Sequence, residues 1–442
     1  MTIRMDEGAA ELLDTLHRAG YAAYVVGGCV RDSLLGLTPH DWDLCTSALP
    51  QQGMELFGEE KCIPTGLQHG TVTVKQGGGL YEITTFRTEG AYTDGRHPDE
   101  VHFVPDVRED LARRDFTINA MAYNAKEGLV DPFGGQADLQ SGILRAVGVP
   151  HQRFTEDALR ILRLYRFAAR FGFAIDPPTA QAAQELCAHL DCVSVERIEE
   201  ELAKLLSAPA PAAYLNEKIL SVVLPELSPE ALAAAKPVVD ACPAGERALP
   251  VRLAALLLSL GEDGTRRTLR RLRCSNACIE ETAVLVREAV PGVPGAFSSD
   301  TNRAIPSPAL LPAATGSHPS GRSSEKLPAR PPVSLNIYTR KLLGQYGLKT
   351  VQRLAALGTA LQPEHAADFA ALSELAERLD ADGVCCRISQ LAVNGRDLMA
   401  AGVPAGPGIR KVLEALLDGV IREEYPNERQ ALLAAVQQLA AS

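Results

Sequence analysis

The stretch Tyr24-Val25-Val26-Gly27-Gly28-Cys29-Val30-Arg31-Asp32, with His40-Asp41-Trp42-Asp43-Leu44 close behind it, decides the reading of the chain. An apolar run ending in two glycines predicts a strand that turns into a helix starting near Cys29. Glycine lets a backbone approach a ligand closely, and the first turn of a helix offers unpaired N–H groups and a positive dipole end to phosphate. Residues 41–45 read as the next strand. Side chains alternate along a strand, so Asp41 and Asp43 leave the same face, an arrangement that suits a divalent cation. Carboxylates for a metal beside a phosphate cradle point to nucleotidyl transfer. Taken singly, an Asp-x-Asp is also common on solvated strand ends, and Gly-Gly after a strand is also a plain turn. The combination is what discriminates.

At 442 residues the chain is too long for one ordinary core, and length predicts roughly two to four domains. Its 46% hydrophobic and 22% charged residues are those of a soluble protein. Stretches rich in Val, Thr and Tyr lie before residue 150, and Ala, Leu, Glu and Arg dominate after it. The fold class expected is therefore an α/β head with a small mixed sheet, followed by an all-α remainder. The first residues carry no signal-peptide pattern and no apolar run reaches the length of a membrane span, so the expectation is a cytoplasmic protein with no membrane partner. The ten cysteines form no Cys-x-x-Cys pair and read as buried free thiols. A net charge of -11 argues against indiscriminate nucleic-acid binding, because Lys and Arg supply most of that affinity. The local exception is residues 265–273, with five arginines in nine residues. Arg266, Arg270 and Arg273 are expected on one helical face, either solvated or facing phosphate.

Helical periodicity covers residues 6–19 and stops at Gly20. Strands are predicted at 22–26, 41–45, 70–75, 80–86 and 100–104. Within the fourth, Glu82 alternates against Tyr81 and Ile83 and is either a third carboxylate for the site or an ordinary exposed strand residue. The polar, glycine-rich segment 87–98 reads as a mobile loop. Further on, Thr155 is expected to cap a helix through 158–168, with Glu156 and Asp157 in its acidic first turn. Asp157 and Arg160 then stand three apart on one helix, for which the plain interpretation is an ion pair of about 0.2 to 0.5 kcal/mol. Residues 291–333 hold nine prolines among 43 and read as a disordered insertion.

These residues resemble a family, the class II CCA-adding tRNA nucleotidyltransferases, which share a head with bacterial poly(A) polymerases inside the polymerase-beta-like superfamily. The resemblance rests on Gly27 to Gly36 leading to Asp41-Trp42-Asp43, on Arg113-Arg114-Asp115-Phe116-Thr117-Ile118-Asn119-Ala120-Met121-Ala122, on Asp131-Pro132-Phe133-Gly134-Gly135, and on Glu156 to Ala168. Val393 to Leu398 and Gly406 to Ile409 look like its C-terminal region; the proline-rich insertion is not part of its pattern. The resemblance implies that Asp41 and Asp43 hold Mg2+ and that Glu82 fills the third acidic position. It further implies that Gly28 and Arg31 contact phosphates, that Arg114 helps hold the nucleotide, and that Arg163 and Arg166 line its site. By themselves the last two read as surface arginines. Base selection would fall to Asp157 and Arg160. Cytosine and adenine present an amino donor where uracil and guanine present a carbonyl, so an Asp acceptor beside an Arg donor accepts C and A and rejects U and G.

The implied activity is template-independent addition of C, C and A to the tRNA 3' end from CTP and ATP, by two-metal nucleotidyl transfer. CC-only or A-only addition and poly(A) synthesis are the neighbouring alternatives. The acidic balance and Ala120-Met121-Ala122 favour CCA addition over poly(A) synthesis, and the complete-looking loop 89–101, with Asp94-Gly95-Arg96-His97-Pro98, favours CCA over CC. From other classes come a non-catalytic tRNA-binding protein on the same scaffold and an Asp-x-Asp glycosyltransferase; the first would have lost Asp41, Asp43 or Arg114, and the second leaves 113–122 unexplained. The expected domains are a nucleotidyltransferase head (1–140), a helical neck with the base pocket (141–206), a helical body carrying the insertion (207–379) and a helical tail (380–442). Body and tail would grip the acceptor and TΨC arms of tRNA, in a monomer or a homodimer.

Loop length enters chain entropy only logarithmically. Deleting residues 298–330 is accordingly expected to leave the melting temperature within about 3 °C of the parent and nucleotide addition nearly unchanged. A thermal melt together with a primer-extension assay on tRNA checks this; a large fall in either would mean the segment packs or functions.

Overall fold

Residues 2–90, 101–289 and 335–439 are described by the structure, a computed structural model. The chain divides into two compact units, one of Met1–Lys236 with two short later segments, the other of the remainder. The insertion 291–333 and most of the loop 89–101 lie outside the described residues.

The first unit opens with α1 (Glu7–Arg18), β1 (Ala23–Val26), α2 (Gly28–Leu34), β2 (Leu44–Thr46) and α3 (Pro50–Phe57). Then come β3 (Cys62–Gly66), β4 (Thr71–Gln76), β5 (Gly79–Thr85), β6 (Arg87–Glu89) and β7 (Val101–Phe103). After α4 (Val107–Ala112) follow β8 (Ala122–Asn124), β9 (Gly128–Val130) and α5 (Gly135–Ser141). Seven strands form one sheet in the order β3-β4-β5-β2-β1-β8-β9. Every neighbouring pair is antiparallel except β2 with β5, so the sheet is mixed, as the composition of the first 150 residues leads one to expect. Sequence reading missed β3, whose Pro64 hides it, and the three-residue strands β8 and β9, too short to show a period.

Alternation assigns the two faces. Leu44, Thr46, Val72, Val74, Ile83 and Thr85 are buried against α1 and α3. The opposite face carries Tyr24, Val26, Cys45 and Phe86, which pack with Val107 and Leu111 of α4 and with Val147. Glu82 belongs to that second face by alternation along β5, on a part of it that stays exposed.

The chain continues into helices, as expected after residue 150. In the first unit these include α6 (Pro150–Glu156), α7 (Leu159–Phe171), α8 (Pro177–Glu185) and α9 (Val195–Leu206). The hydrophobic stripe of α7 is buried through Leu159, Ile161, Leu162, Leu164, Phe167 and Ala168, and Phe167 meets Phe116 edge-on with ring centroids 5.9 Å apart, an arrangement aromatic pairs favour. In the second unit, the C-terminal helices Gly395–Ala400, Pro407–Ile421 and Arg429–Leu439 share a core of Leu398, Leu416, Val420, Leu432 and Val436.

Several expectations need correction. Helix Gly261–Arg271 ends two residues before Arg273, which adopts a left-handed φ of 57°, so Arg273 does not share a helical face with Arg266 and Arg270. Arg266 is tied to Glu262 at 2.9 Å and to Glu280, and Arg273 to Glu196. None of the ten cysteines forms a disulfide, and not all are buried: Cys192 is exposed and Cys274 and Cys278 are half-buried. No helix among the described residues is long and apolar enough to cross a membrane.

Candidate active site

Gly27 turns β1 into α2. Its φ of 74° lies in the left-handed region, and a Cβ there would stand 3.0 Å from Arg114 Nη1, so conformation and space both select glycine. Its N–H donates to Met121 O at 3.0 Å, and its carbonyl accepts from Arg31 N at 3.0 Å. The turn delivers Gly28 to the first position of α2, where helix geometry leaves the N–H groups without intrahelical partners.

β2 starts at Leu44 rather than at Asp41. Val25 pairs with Leu44 in antiparallel register, so Asp41 would need Gly28 as its partner, and Gly28 has already turned into α2. The ladder ends with Val26 N donating to Asp43 O at 2.9 Å. Asp41-Trp42-Asp43 is therefore a loop, pinned by Trp42 at 9% exposure, with both carboxylates on the exposed side. The parallel register Leu44↔Ile83 carries Asp43 alongside Glu82, one step back on both strands. Asp43 is exposed as a residue, yet its surroundings crowd the carboxyl: desolvation raises its pKa, Glu82 and Asp41 raise it further, and Arg114 opposes them.

Glu82, Asp41 and Arg114 thus all act on the Asp43 carboxyl. No three His, Cys, Asp or Glu side chains among the described residues stand close enough to enclose a metal. A hard divalent cation that keeps its waters and takes substrate phosphates needs only one or two carboxylates, and Asp41 with Asp43 is a donor set that fits.

The two arginines of Arg113-Arg114 are anchored from behind. Asp110, on α4 and fully buried, accepts Arg113 Nε at 3.0 Å and Nη2 at 2.8 Å on Oδ1, and Arg114 Nη2 at 3.2 Å on Oδ2. Burial by itself would raise the Asp110 pKa, but Arg114 and Arg113 outweigh it and hold it below the usual range. Arg31 sits deeper, at 4% exposure. It donates to Asp32 at 2.7 Å and to Asn119 Oδ1 at 2.6 Å, and its cation lies 5.2 and 5.0 Å from the rings of Phe167 and Phe171. In this geometry Arg31 braces the turn beneath Gly28, with Nη2 3.6 Å from where a Gly28 Cβ would be.

On the neck, the predicted continuous helix is broken. α6 begins at Pro150, a proline suited to a first helical position, so Thr155 lies inside a helix instead of capping one. Asp157 is extended, with φ -144° and ψ 102°. Its Oδ1 accepts Leu159 N at 3.0 Å, and its Oδ2 accepts Arg197 Nη2 at 2.8 Å. Arg160 donates to Glu156 Oε2 at 2.7 Å, Arg153 O at 3.2 Å and Arg113 O at 3.2 Å. Asp157 and Arg160 are therefore not an ion pair, and the plain interpretation of their spacing does not apply.

Below them on α7, Arg163 donates twice to Asp115 Oδ2, at 2.9 and 2.7 Å, and lies 3.7 Å from Glu201, while Arg166 pairs with Glu201 at 2.7 Å. Neither is a free surface arginine. Asp115 also accepts Asn119 Nδ2 at 3.0 Å. Sequence reasoning assigned no role to Asp110, Asp115, Asn119, Arg197 or Glu201. The spacing of Asp110 to Arg113 and Arg114 was a legible helical signal; Arg197 and Glu201 reach their partners across about 40 positions, and no local pattern announces that.

The chain is similar to known proteins along almost its whole length. A family profile described as poly A polymerase head domain matches residues 23–145, one described as probable RNA and SrmB-binding site of polymerase A matches 172–230, and one described as tRNA nucleotidyltransferase domain 2, putative, matches 337–436. The CCA-adding enzyme of Lactiplantibacillus plantarum is 36% identical over 97% of this chain and 95% of its own. That of Geobacillus thermodenitrificans is 35% identical over 96% and 95%. The crystal structure of the Bacillus stearothermophilus CCA-adding enzyme in complex with CTP superposes with a TM-score of 0.77 at 30% identity, covering 99% of this chain and 98% of that one.

Burial raises the Asp115 pKa, but Arg163 and Asn119 overcome it and bring it down to about 2, against about 3.9 for an unfolded aspartate. A depressed carboxyl contributes stability that is full above its unfolded pKa and is lost as pH falls through the folded one. Asp115→Asn is expected to lower the urea midpoint at pH 7 and to lose less further stability than the parent as pH falls from about 4 to about 2. Urea melts across that range measure it; an acid profile identical to the parent's would sink the assignment.

Proposed function

The chain belongs to the CCA-adding enzymes, and from that membership we propose that it extends the tRNA 3' end by C, C and A in turn, taking CTP and ATP and no nucleic-acid template. One observation carries the reading at the level of residues: Asp43 runs alongside Glu82 and feels Asp41 and Arg114, and Arg114 lies against the Gly27 turn. The match to residues 337–436 and the relatives aligned over almost the whole chain favour CCA addition over poly(A) synthesis, although the head description is one shared with poly A polymerases.

Asp41 and Asp43 would hold Mg2+, with Glu82 as the third acidic group; when bound, the ion supplies Lewis-acid stabilisation of charge on the triphosphate. The α2 N-terminus at Gly28 and the guanidinium of Arg114 receive phosphate oxygens, and Arg31 supports that turn with its charge. The tRNA 3'-hydroxyl attacks the α-phosphorus and pyrophosphate leaves, so the protein supplies no nucleophile. Base choice belongs to the neck. Asp157, with one hydrogen bond on each oxygen, keeps lone pairs for the amino group of C or A. Arg160 has donors beyond its three bonds for the neighbouring ring nitrogen. Arg163 and Arg166 line the same wall through their pairs with Asp115 and Glu201.

The head (1–140), neck (141–206), body (207–379) and tail (380–442) are the proposed division, with body and tail gripping the acceptor and TΨC arms in the cytoplasm. The profile matches beyond the head, at 172–230 and 337–436, support a separation of chemistry from RNA grip. The test of the whole reading is incubation with tRNA ending before CCA, after C and after CC, each with single labelled nucleotides and Mg2+. Addition of C, C and then A is expected; adenylate tails or arrest after CC would overturn it.

Asp41→Ala and Asp43→Ala are each expected to reduce single-turnover addition by at least about a thousandfold, on the scale of removing a principal electrostatic contribution, while tRNA affinity by filter binding stays within about threefold. Near-parental turnover in either variant removes the metal assignment.

Asp157→Ala and Arg160→Ala are expected to slow C and A incorporation and relax rejection of UTP and GTP, and the pair to be non-additive, since one base edge needs both partners. Single-turnover incorporation of all four nucleotides measures this. Parental ratios in both variants would move base selection elsewhere on the neck.

A further inference from the structure

Asp110 takes no part in the chemistry proposed above, yet it holds both Arg113 and Arg114. Its side chain is fully buried at the end of α4. Oδ1 serves Arg113 and the Arg87 backbone N–H, the latter at 3.3 Å. Oδ2 takes Arg114 Nη2 at 3.2 Å. Arg114 is consequently held by one edge. Its Nε is buried without an acceptor, and Nη1 lies against the Gly27 turn, 3.0 Å from the position a Cβ would occupy. The same cation also lowers the Asp43 pKa, against burial and Glu82.

Held by Asp110 through Nη2, the Arg114 guanidinium keeps Nη1 at the Gly27 turn. Gathering two arginines on one buried carboxylate is also a poor way to gain stability, since desolvation offsets most of the attraction. What the arrangement secures is direction.

We propose that Asp110 is a positioning residue for nucleotide binding, fixing the Arg114 guanidinium at the Gly27 turn and aimed at the phosphates of the incoming nucleotide. This rests on the reading that Arg114 contacts the nucleotide. Because Arg114 serves phosphates common to both substrates, loss of Asp110 weakens CTP and ATP alike and leaves base choice untouched.

Equilibrium binding of CTP and of ATP to the full chain without tRNA, in Mg2+, is measured for Asp110→Asn, Arg114→Ala and the double variant, with a thermal melt of each. Each single variant is expected to weaken both nucleotides about tenfold, the scale of one lost charge-assisted hydrogen bond. The double variant should bind no worse than Arg114→Ala, and the ratio of CTP to ATP affinity should stay parental. A lowered melting temperature with parental affinities, or losses that add in the double variant, overturns the proposal. If Arg114→Ala itself binds both nucleotides normally, the assignment of Arg114 falls and the proposal with it; if only Asp110→Asn binds normally, the proposal alone falls. Should Asp110→Asn not fold, Asp110→Asn with Arg113→Met removes one buried charge of each sign and is put through the same comparison.

Discussion

The buried carboxylate of Asp115 is the constraint on which the first unit depends. It lies just past α4 and reaches in two directions, to Asn119 within the head and to Arg163 on α7 of the neck. Asn119 passes the connection to Arg31 under the Gly27 turn, and Asp32 beside it returns to α7 through Arg170 at 3.2 Å. The Gly27 turn and helix α7 are thus parts of one hydrogen-bonded frame. Phe116 against Phe167 supplies the apolar part of the same junction. A polar network of this kind contributes less to net stability than to a unique geometry, because a half-satisfied version of it would be costly.

That frame explains how four arginines can crowd one helix. Arg160, Arg163, Arg166 and Arg170 follow each other along α7, yet each meets a carboxylate from elsewhere: Glu156, Asp115, Glu201 and Asp32. Like charges at helical spacing repel, and the helix tolerates them because its partners come from α6, α9 and the head. Asp43 is the reverse case: burial, Glu82 and Asp41 raise its pKa against the pull of Arg114. A site poised in this way favours an added cation, which inverts the local electrostatics.

The break at Asp157 joins these two themes. A continuous helix would carry Asp157 and Arg160 as an ordinary surface pair. The extended residue instead frees the carboxylate to cap Leu159 and meet Arg197, while Arg160 turns to Glu156 and to the carbonyl of Arg113. The base-facing candidates on the neck are thereby fixed to the segment that carries Arg114.

The mixed head, the helical remainder, the strand-turn-helix at Gly27 and the alternation that exposes Glu82 could be read from the chain, because periodicity and glycine chemistry are local and leave a local record. Asp41, Asp43, Arg114, Asp157 and Arg160 were picked out as candidates from motif order. What tertiary structure decided was how they stand. Asp41 leaves the strand because its ladder partner has become helix α2; Asp157 leaves the helix because Arg197, 40 residues on, takes its second oxygen; Arg31, read as a phosphate contact, is buried against Asn119 and two phenylalanines. Each of these outcomes is set by a partner distant in sequence, and a buried ion pair chooses its partner by geometry and desolvation, neither of which spacing along the chain encodes.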